Sequence, residues 1–336
     1  MVIGVLEWDV ASLGGRQRTM LAFADYFKEL GHRVRFISNC SSPPKSLLAQ
    51  TDLRFLTPAD FQVTELTRNY RPGEKLPDAF DGLDVLLCSY GGWSYLAPML
   101  PETRVICWVI HPDQARLADR LEVWTNSQTT AARLAGSEQW RDAAPVVLYP
   151  PHSYAEFRRD PIPWVDRRLS VLAVGSLLRA KRLDLVAQLS DNRSWWNVTI
   201  VGATWDAAEQ ENREVLKDIY RTPASHRLRI DVTSSEVADL MRSAKVFCLP
   251  SEAESAPLCI YEALNAGCSI VARRVGAVEE QLRGCRQHSQ MFDRDEEFEP
   301  CVLRALDRQP PGYTPSVGME YDRERIGFLI RKALER

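Results

Sequence analysis

Short apolar β-rich runs alternate with amphipathic helical ones along this chain, stop at residues 151–168, and start again. "VIGVLEW" reads as a strand, and "RQRTMLAFADYFKELG" as a helix closed by Gly31. "RVRFIS", "DVLLCSY", "RVICWVI", "EVWTN" and "PVVLY" read as further strands, with helices near Trp93–Leu100 and over "SQTTAARLA". Residues 39–80 carry Pro43, Pro44, Pro58, Pro72 and Pro77 and read as irregular and polar. Strands separated by helices need crossover connections, which are right-handed, so the expected sheet is parallel.

The Pro- and charge-rich break "PHSYAEFRRDPIPWVDRR" separates two such halves. In the second, "LSVLAVG", "NVTIVG", "LRI", "KVFCLP" and "SIVAR" read as strands. "KRLDLVAQL", "DAAEQENREVLKDIY", "SSEVADLMRSA" and residues 257–266 read as the helices between them. A second break, "QPPGYTPS", precedes a terminal helix in "MEYDRERIGFLIRKALER". Two Rossmann-like α/β halves joined by a linker imply a ligand cleft between them.

Composition narrows the function. The 336 residues are 45% hydrophobic and 26% charged, as expected of a globular protein with two domains. The formal charge is −3, and residues 1–150 hold 15 Lys/Arg against 17 Asp/Glu, so neither half offers the basic balance of a nucleic-acid binder. The start "MVIGVLEWDV" lacks the pattern of a signal peptide, and no apolar run is long enough to span a bilayer. Eight cysteines occur without a CxxC, mostly inside apolar runs. They read as reduced core thiols of a cytoplasmic protein. The histidines form no pair at ligand spacing, so no metal site is expected.

The stretch "SEAESAPLCIYEALNAG" places Glu254 and Glu262 eight residues apart. Pro257 suits a first helical turn. Glu254 then lies on the loop after the strand "KVFCLP", at the carboxyl end where open α/β sheets bind ligands, and Glu262 lies inside the helix. Backbone N–H groups at Leu258, Cys259 and Ile260 would face a phosphate. A helical carboxylate can hold two vicinal hydroxyls, and a loop carboxylate a third group, so a nucleotide-sugar fits. On spacing alone, two surface glutamates flanking a core helix fit better, because paired surface glutamates are common.

"LPSEAESAPLCIYEALNAGCSIVARRVGAVEE" resembles the donor-binding segment of retaining GT-B glycosyltransferases of glycosyltransferase family 4. The matching residues are Pro250, Ser251, Glu254, Glu262, Ala263, Ala266, Gly267, Gly276 and Glu279/Glu280. "SLGGRQRTMLAFADYFKELGHRVRFIS", "VWTNSQTTAARLA", "VVLYPP", "VLAVGSLLRAKRLDLV" and "SSEVADLMRSAKVFCLPS" resemble other family segments in the family's order. Two departures stand out. Gly175-Ser176 occupies the place of the usual Gly-Arg, and Ser255, Ala256 and Pro257 the place of Gly-Phe-Gly.

The resemblance implies a GT-B fold: two Rossmann-like domains whose parallel sheets face a central cleft, with a C-terminal helix crossing back. The implied domains are 1–152 for the acceptor, 153–316 for the nucleotide-sugar donor, and 317–336 for the crossing helix. It implies metal-free transfer with retention from a UDP- or GDP-linked sugar to a small-molecule or glycan acceptor. Catalytic positions would be His111, Lys181 and Glu254. Gly14, Gly15, Ser176, Arg179, Lys181, Leu258, Cys259, Ile260 and Glu262 would hold the donor, Arg179 standing in for the missing arginine. A sugar-nucleotide 2-epimerase, or a binding module with decayed chemistry, fits the same architecture. No GxGxxG follows the first strand, which argues against a nicotinamide oxidoreductase. "DRD", Asp293 to Asp295, mimics a metal-binding carboxylate motif, but Asp295 reads better as an N-cap or solvated charge. Trp8, Tyr90 and Trp93 could stack on a sugar or belong to the core.

Overall fold

The structure, a computed structural model, describes residues 1–7, 14–38, 54–56, 76–89, 91–114, 121–192, 196–204, 208–221, 226–307 and 323–335. It divides into two units, Met1–His152 with Glu320–Arg336, and Ser153–Met319.

In the first unit, β1 (Val2–Leu6) leads through α1 (Gly15–Glu29) to β2 (Arg33–Ile37) and β3 (Arg54–Leu56). There follow β4 (Val85–Cys88), a 3-10 helix at Gly91–Met99, β5 (Arg104–Trp108), β6 (Glu122–Thr125), α2 (Gln128–Ala135) and β7 (Val146–Val147). Among the described residues the sheet order is β3-β2-β1-β4-β5-β6-β7, parallel throughout. The expectation of an irregular 39–80 is corrected here. Arg54–Leu56 extends the sheet beside β2 in register Arg35↔Arg54 to Ile37↔Leu56, because pairing with an existing edge overrides a weak local pattern.

The strands read as continuous apolar runs because both faces are covered. On one face Leu6, Ile37, Leu86, Cys88, Val105 and Cys107 pack with Leu96 and Trp140. On the other, Phe23 of α1 meets Trp108 edge-on at 4.8 Å between ring centroids. The terminal helix, Arg323–Leu334, buries Ile326, Ile330, Ala333 and Leu334, one stripe at helical spacing. The Tyr26 hydroxyl occupies the space a Cβ at Gly327 would need. Arg104 donates to the carbonyls of Ala333 and Leu334 at 2.7 and 3.0 Å, closing the helix C-terminus.

The second unit opens with α3 (Ala155–Arg158), inside the stretch expected to be a plain break. It continues β8 (Leu169–Ser176), α4 (Leu183–Asn192), β9 (Val198–Ala203), α5 (Glu209–Arg221), β10 (His226–Ile230), α6 (Ser234–Ser243) and β11 (Ala244–Leu249). Then come α7 (Leu258–Asn265), β12 (Ser269–Arg273), α8 (Val278–Gln281), β13 (Ser289–Phe292) and α9 (Phe298–Asp307); the terminal helix of the first unit is α10. Among the described residues the sheet runs β10-β9-β8-β11-β12-β13, all parallel. Val171, Ala173, Val198, Ile200, Val246, Cys248 and Val271 pack against α4 and α9 on one face.

In both sheets the strand order reverses once, between β1 and β4 and between β8 and β11. Loops leaving the carboxyl ends of the two flanking strands diverge there and leave a crevice, which makes these the two natural ligand positions.

Candidate active site

The second crevice is built from the loops after β8 and β11. After Ser176 the chain makes a 3-10 turn at Arg179–Lys181, with the Lys181 amide donating to Leu178 O at 2.9 Å. The Lys181 stem lies over Gly175, close enough that a Cβ there would meet Lys181 Cβ and Cγ in ordinary contact at 3.7 Å. After β11 the chain carries Glu254 to the same place. The Lys181 ammonium donates to Glu254 Oε1 at 2.6 Å, joining residues from opposite sides of the switch point. Their side chains are 24% and 12% exposed, so the pair is shielded but reachable. Neighbouring backbone fixes the loops: the Glu252 amide donates to Ala180 O at 2.7 Å, and the Ala277 amide to Ser255 O at 2.7 Å. Gly276, at φ +52°, lies directly against the Glu254 and Ser255 carbonyls, where any Cβ would clash.

Leu258, Cys259 and Ile260 open α7 behind Pro257, with no side-chain cap. α2 and α6, by contrast, are capped by Ser127 and Thr233. The Ile260 amide donates to Pro257 O at 3.3 Å. Glu262 sits on α7 at 3% exposure. Ser176 ends β8, and its carbonyl accepts from the Leu178 amide at 2.8 Å.

Arg179 is directed elsewhere. Its guanidinium donates to Glu214 at 2.8 Å and lies 3.7 Å from Asp218, and its amide donates to Glu211 at 2.8 Å. These carboxylates share one face of α5 and hold the side chain there, so the structure does not bring Arg179 together with Lys181 and Glu254. Asp295 also departs from expectation. It is not an N-cap of α9; its carboxylate is 42% exposed, as a solvated charge is, but it also bridges Arg273 and, at 2.9 Å, Arg182. These two guanidinium groups, Arg273 first, hold its carboxyl below the usual range. Sequence reading passed over Arg182 and Glu252 altogether, since neither forms a motif.

The first crevice differs. Gly14 precedes α1 in extended conformation and Gly15 opens it, again with no side-chain cap. Glu7, which follows β1 and is fully buried, accepts two hydrogen bonds from Arg16, at 3.0 and 3.2 Å. Sequence reading missed this pair; its signal is an acid at a strand end nine residues before a base in the first helical turn. His111 follows β5 and is 46% exposed. Its Nε2 lies 3.3 Å from the Arg133 guanidinium and its Nδ1 3.1 Å from the Asp113 carboxylate. The Asp113 backbone amide also donates to Nδ1 at 3.3 Å, so Asp113 holds that edge of the ring from both its main chain and its side chain. Trp93 is buried beside Tyr95 in the core, while Trp8 and Tyr90 lie outside the described residues.

Residues 155–284 match the family model described as glycosyl transferases group 1. The second unit carries a glycosyl transferases group 1 domain. Lys181, Glu254 and Glu262 all fall inside it, and the chain is a transferase. It is 24% identical over 300 residues to an uncharacterized glycosyltransferase of Haemophilus influenzae, covering 80% of each chain. Among solved structures, sucrose-phosphate synthase from Thermosynechococcus elongatus is similar with a TM-score of 0.76 at 14% identity, covering 99% of this chain and 98% of that one. HepE of Anabaena in complex with UDP-glucose is similar with a TM-score of 0.77 at 15% identity, covering 100% and 99%. The fold is therefore that of the GT-B glycosyltransferases. No helix of the described residues is long and apolar enough to cross a membrane.

Proposed function

We propose that this transferase is a retaining, metal-independent glycosyltransferase moving a sugar from a nucleotide-diphosphate sugar to an acceptor hydroxyl. The observation that carries the reading is the Lys181–Glu254 pair, set across the switch point of the group 1 domain. Transfer leaves new negative charge on the nucleotide diphosphate while the sugar becomes oxocarbenium-like. Lys181 and the α7 amides face the first charge, in a shielded site where a cation is worth more than in water. Glu254 holds sugar hydroxyls, and Glu262 the ribose. Gly14 and Gly15 are assigned to the donor phosphates, and His111 to the transferred sugar, on the family resemblance.

Burial pushes the Cys268 thiol up to about 12 and the Cys285 thiol to about 11, so neither is poised as a nucleophile. The acceptor hydroxyl then attacks the anomeric carbon on the face the diphosphate leaves. The new C–O bond forms as the old one breaks, and the hydroxyl proton passes to a donor phosphate oxygen. The carboxylates that most resemble a metal motif are held by cations, Asp293 by Arg274 at 3.2 Å and Asp295 by two arginines. A UDP- or GDP-linked donor and a small-molecule or glycan acceptor complete the reading. Free, largely buried thiols suit the cytoplasm.

A panel of UDP- and GDP-sugars, assayed with acceptor hydroxyls in EDTA, tests the proposal. Turnover with retained anomeric configuration, undiminished by EDTA, is the expected result. Metal-restored turnover would overturn metal independence, and donor conversion without acceptor would point to a 2-epimerase. Ser176 in place of arginine, with Arg179 held by α5, favours a second reading as a binding module. Donor binding with no turnover across the panel would establish it.

A further inference from the structure

Arg182 stands at φ +48°, a conformation in which Cβ crowds the backbone. Its side chain is held from three directions: Asp184 at 3.2 Å, Glu252 at 2.8 Å and Asp295 at 2.9 Å. These carboxylates come from α4, the loop after β11, and the turn after β13. Asp295 in turn binds Arg273, which also donates to Pro250 O at 3.1 Å and Asp293 O at 2.9 Å and lies over the Phe292 ring. Asp295 is thus the carboxylate shared by two arginines, one beside Lys181 and the other holding the start of the Glu254 loop.

We propose that Asp295 is a positioning residue for the donor site, acting through Arg182 to hold Lys181 where it meets the donor diphosphate. This rests on the reading of Lys181 as a donor ligand. Lys181 lies between two anchored residues. Ala180 O is tied to the Glu252 amide, and the Arg182 guanidinium is tied to Glu252 and Asp295. Asp295 is one of three carboxylates that keep Arg182 in its unfavourable backbone conformation, and the one that ties it to Arg273, and so it helps set the direction of the Lys181 stem. Without that charge Arg182 can relax toward ordinary backbone angles, and the adjacent lysine turns with it. Asp295 itself touches neither Lys181 nor Glu254 in any hydrogen bond or ion pair of the structure; its influence passes through the arginines.

The test is UDP titration calorimetry on the full chain and on Lys181→Ala, Asp295→Asn and the double variant, each checked for fold by circular dichroism. Wild type should bind UDP, and Asp295→Asn should weaken binding at least about fivefold. On the Lys181→Ala background Asp295→Asn should change affinity less than about twofold, because neighbours acting through one group are non-additive. A merely structural role would not produce that dependence. Arg182→Gln, which leaves the Arg273–Asp295 contact in place, should reproduce the fivefold loss and serves if Asp295→Asn fails to fold. Wild-type affinity in Asp295→Asn, or a full additional loss on the Lys181→Ala background, overturns the inference. Wild-type affinity in Lys181→Ala overturns instead the assignment of Lys181 as a donor ligand, and the inference with it.

Discussion

The two switch points share a topology and each carries an ion pair, yet the pairs are built differently. At the first, Glu7 and Arg16 lie nine residues apart within one strand–helix unit, and Glu7 is fully buried. At the second, Lys181 and Glu254 are 73 residues apart, come from opposite sides of the crevice, and keep part of their surface open. A local, sealed pair fixes the exit angle of one strand. A pair spanning the crevice lies where a ligand must enter, and each partner can exchange the other for a ligand group of the same sign. The contrast fits a structural role for the first pair and supports the donor handling proposed for the second.

Substitutions can break or sharpen that contrast. The largest effect is expected at the first pair. Arg16→Ala leaves the Glu7 carboxylate buried without its fork, which should cost about 3 kcal/mol of stability, read as a lowered midpoint in denaturant titration. An unchanged midpoint with weakened UDP binding would reverse the two roles. Lys181→Ala should show the opposite profile, with UDP binding weaker by about 2 kcal/mol and little change in midpoint. Glu254→Gln should lower turnover about tenfold, or about 1.4 kcal/mol of barrier, with UDP binding largely kept. Turnover at the wild-type rate removes Glu254 from the reaction.

The smallest effect concerns acid. Asp295 is held low by Arg273 and Arg182, and Glu297, at about 2, by the Asp293 and Arg294 amides and the Arg294 side chain. A depressed carboxyl stabilises the fold above its unfolded value and loses that contribution as pH falls through its folded one. Loss of second-unit structure should therefore steepen between the ordinary carboxylate range of about 4 and about pH 2. In Asp295→Asn, circular dichroism should show a shallower acid slope.

Most of the architecture was legible because parallel strands covered on both faces are continuous apolar runs, as "KVFCLP" and "SIVAR" are. β3 was not, because its three residues sit among prolines and gain their order from β2. β13, "SQMF", is short and half-buried, with no alternation to mark it. At the site, Glu254 and Lys181 were legible through a resemblance, but their contact was not, since sequence separation hides it. Arg179 looked like a spare cation because its competitors, Glu211, Glu214 and Asp218, lie on a different helix. Arg182 was invisible because a left-handed backbone usually announces itself with glycine, whereas here three carboxylates compensate.

The terminal helix α10 belongs to the first unit although the whole second unit precedes it in the chain. A ribosome working from the N-terminus releases the first sheet long before the helix that covers part of it. Until then Tyr26 and Arg104 wait without Gly327 and the last helical carbonyls, and the surface that will receive Ile326 and Ile330 stays wet. The second unit is continuous and can close as soon as it emerges. The second unit thus leaves the ribosome before the helix that completes the first, so the N-terminal fold is finished only after all the chain of the second unit has been made.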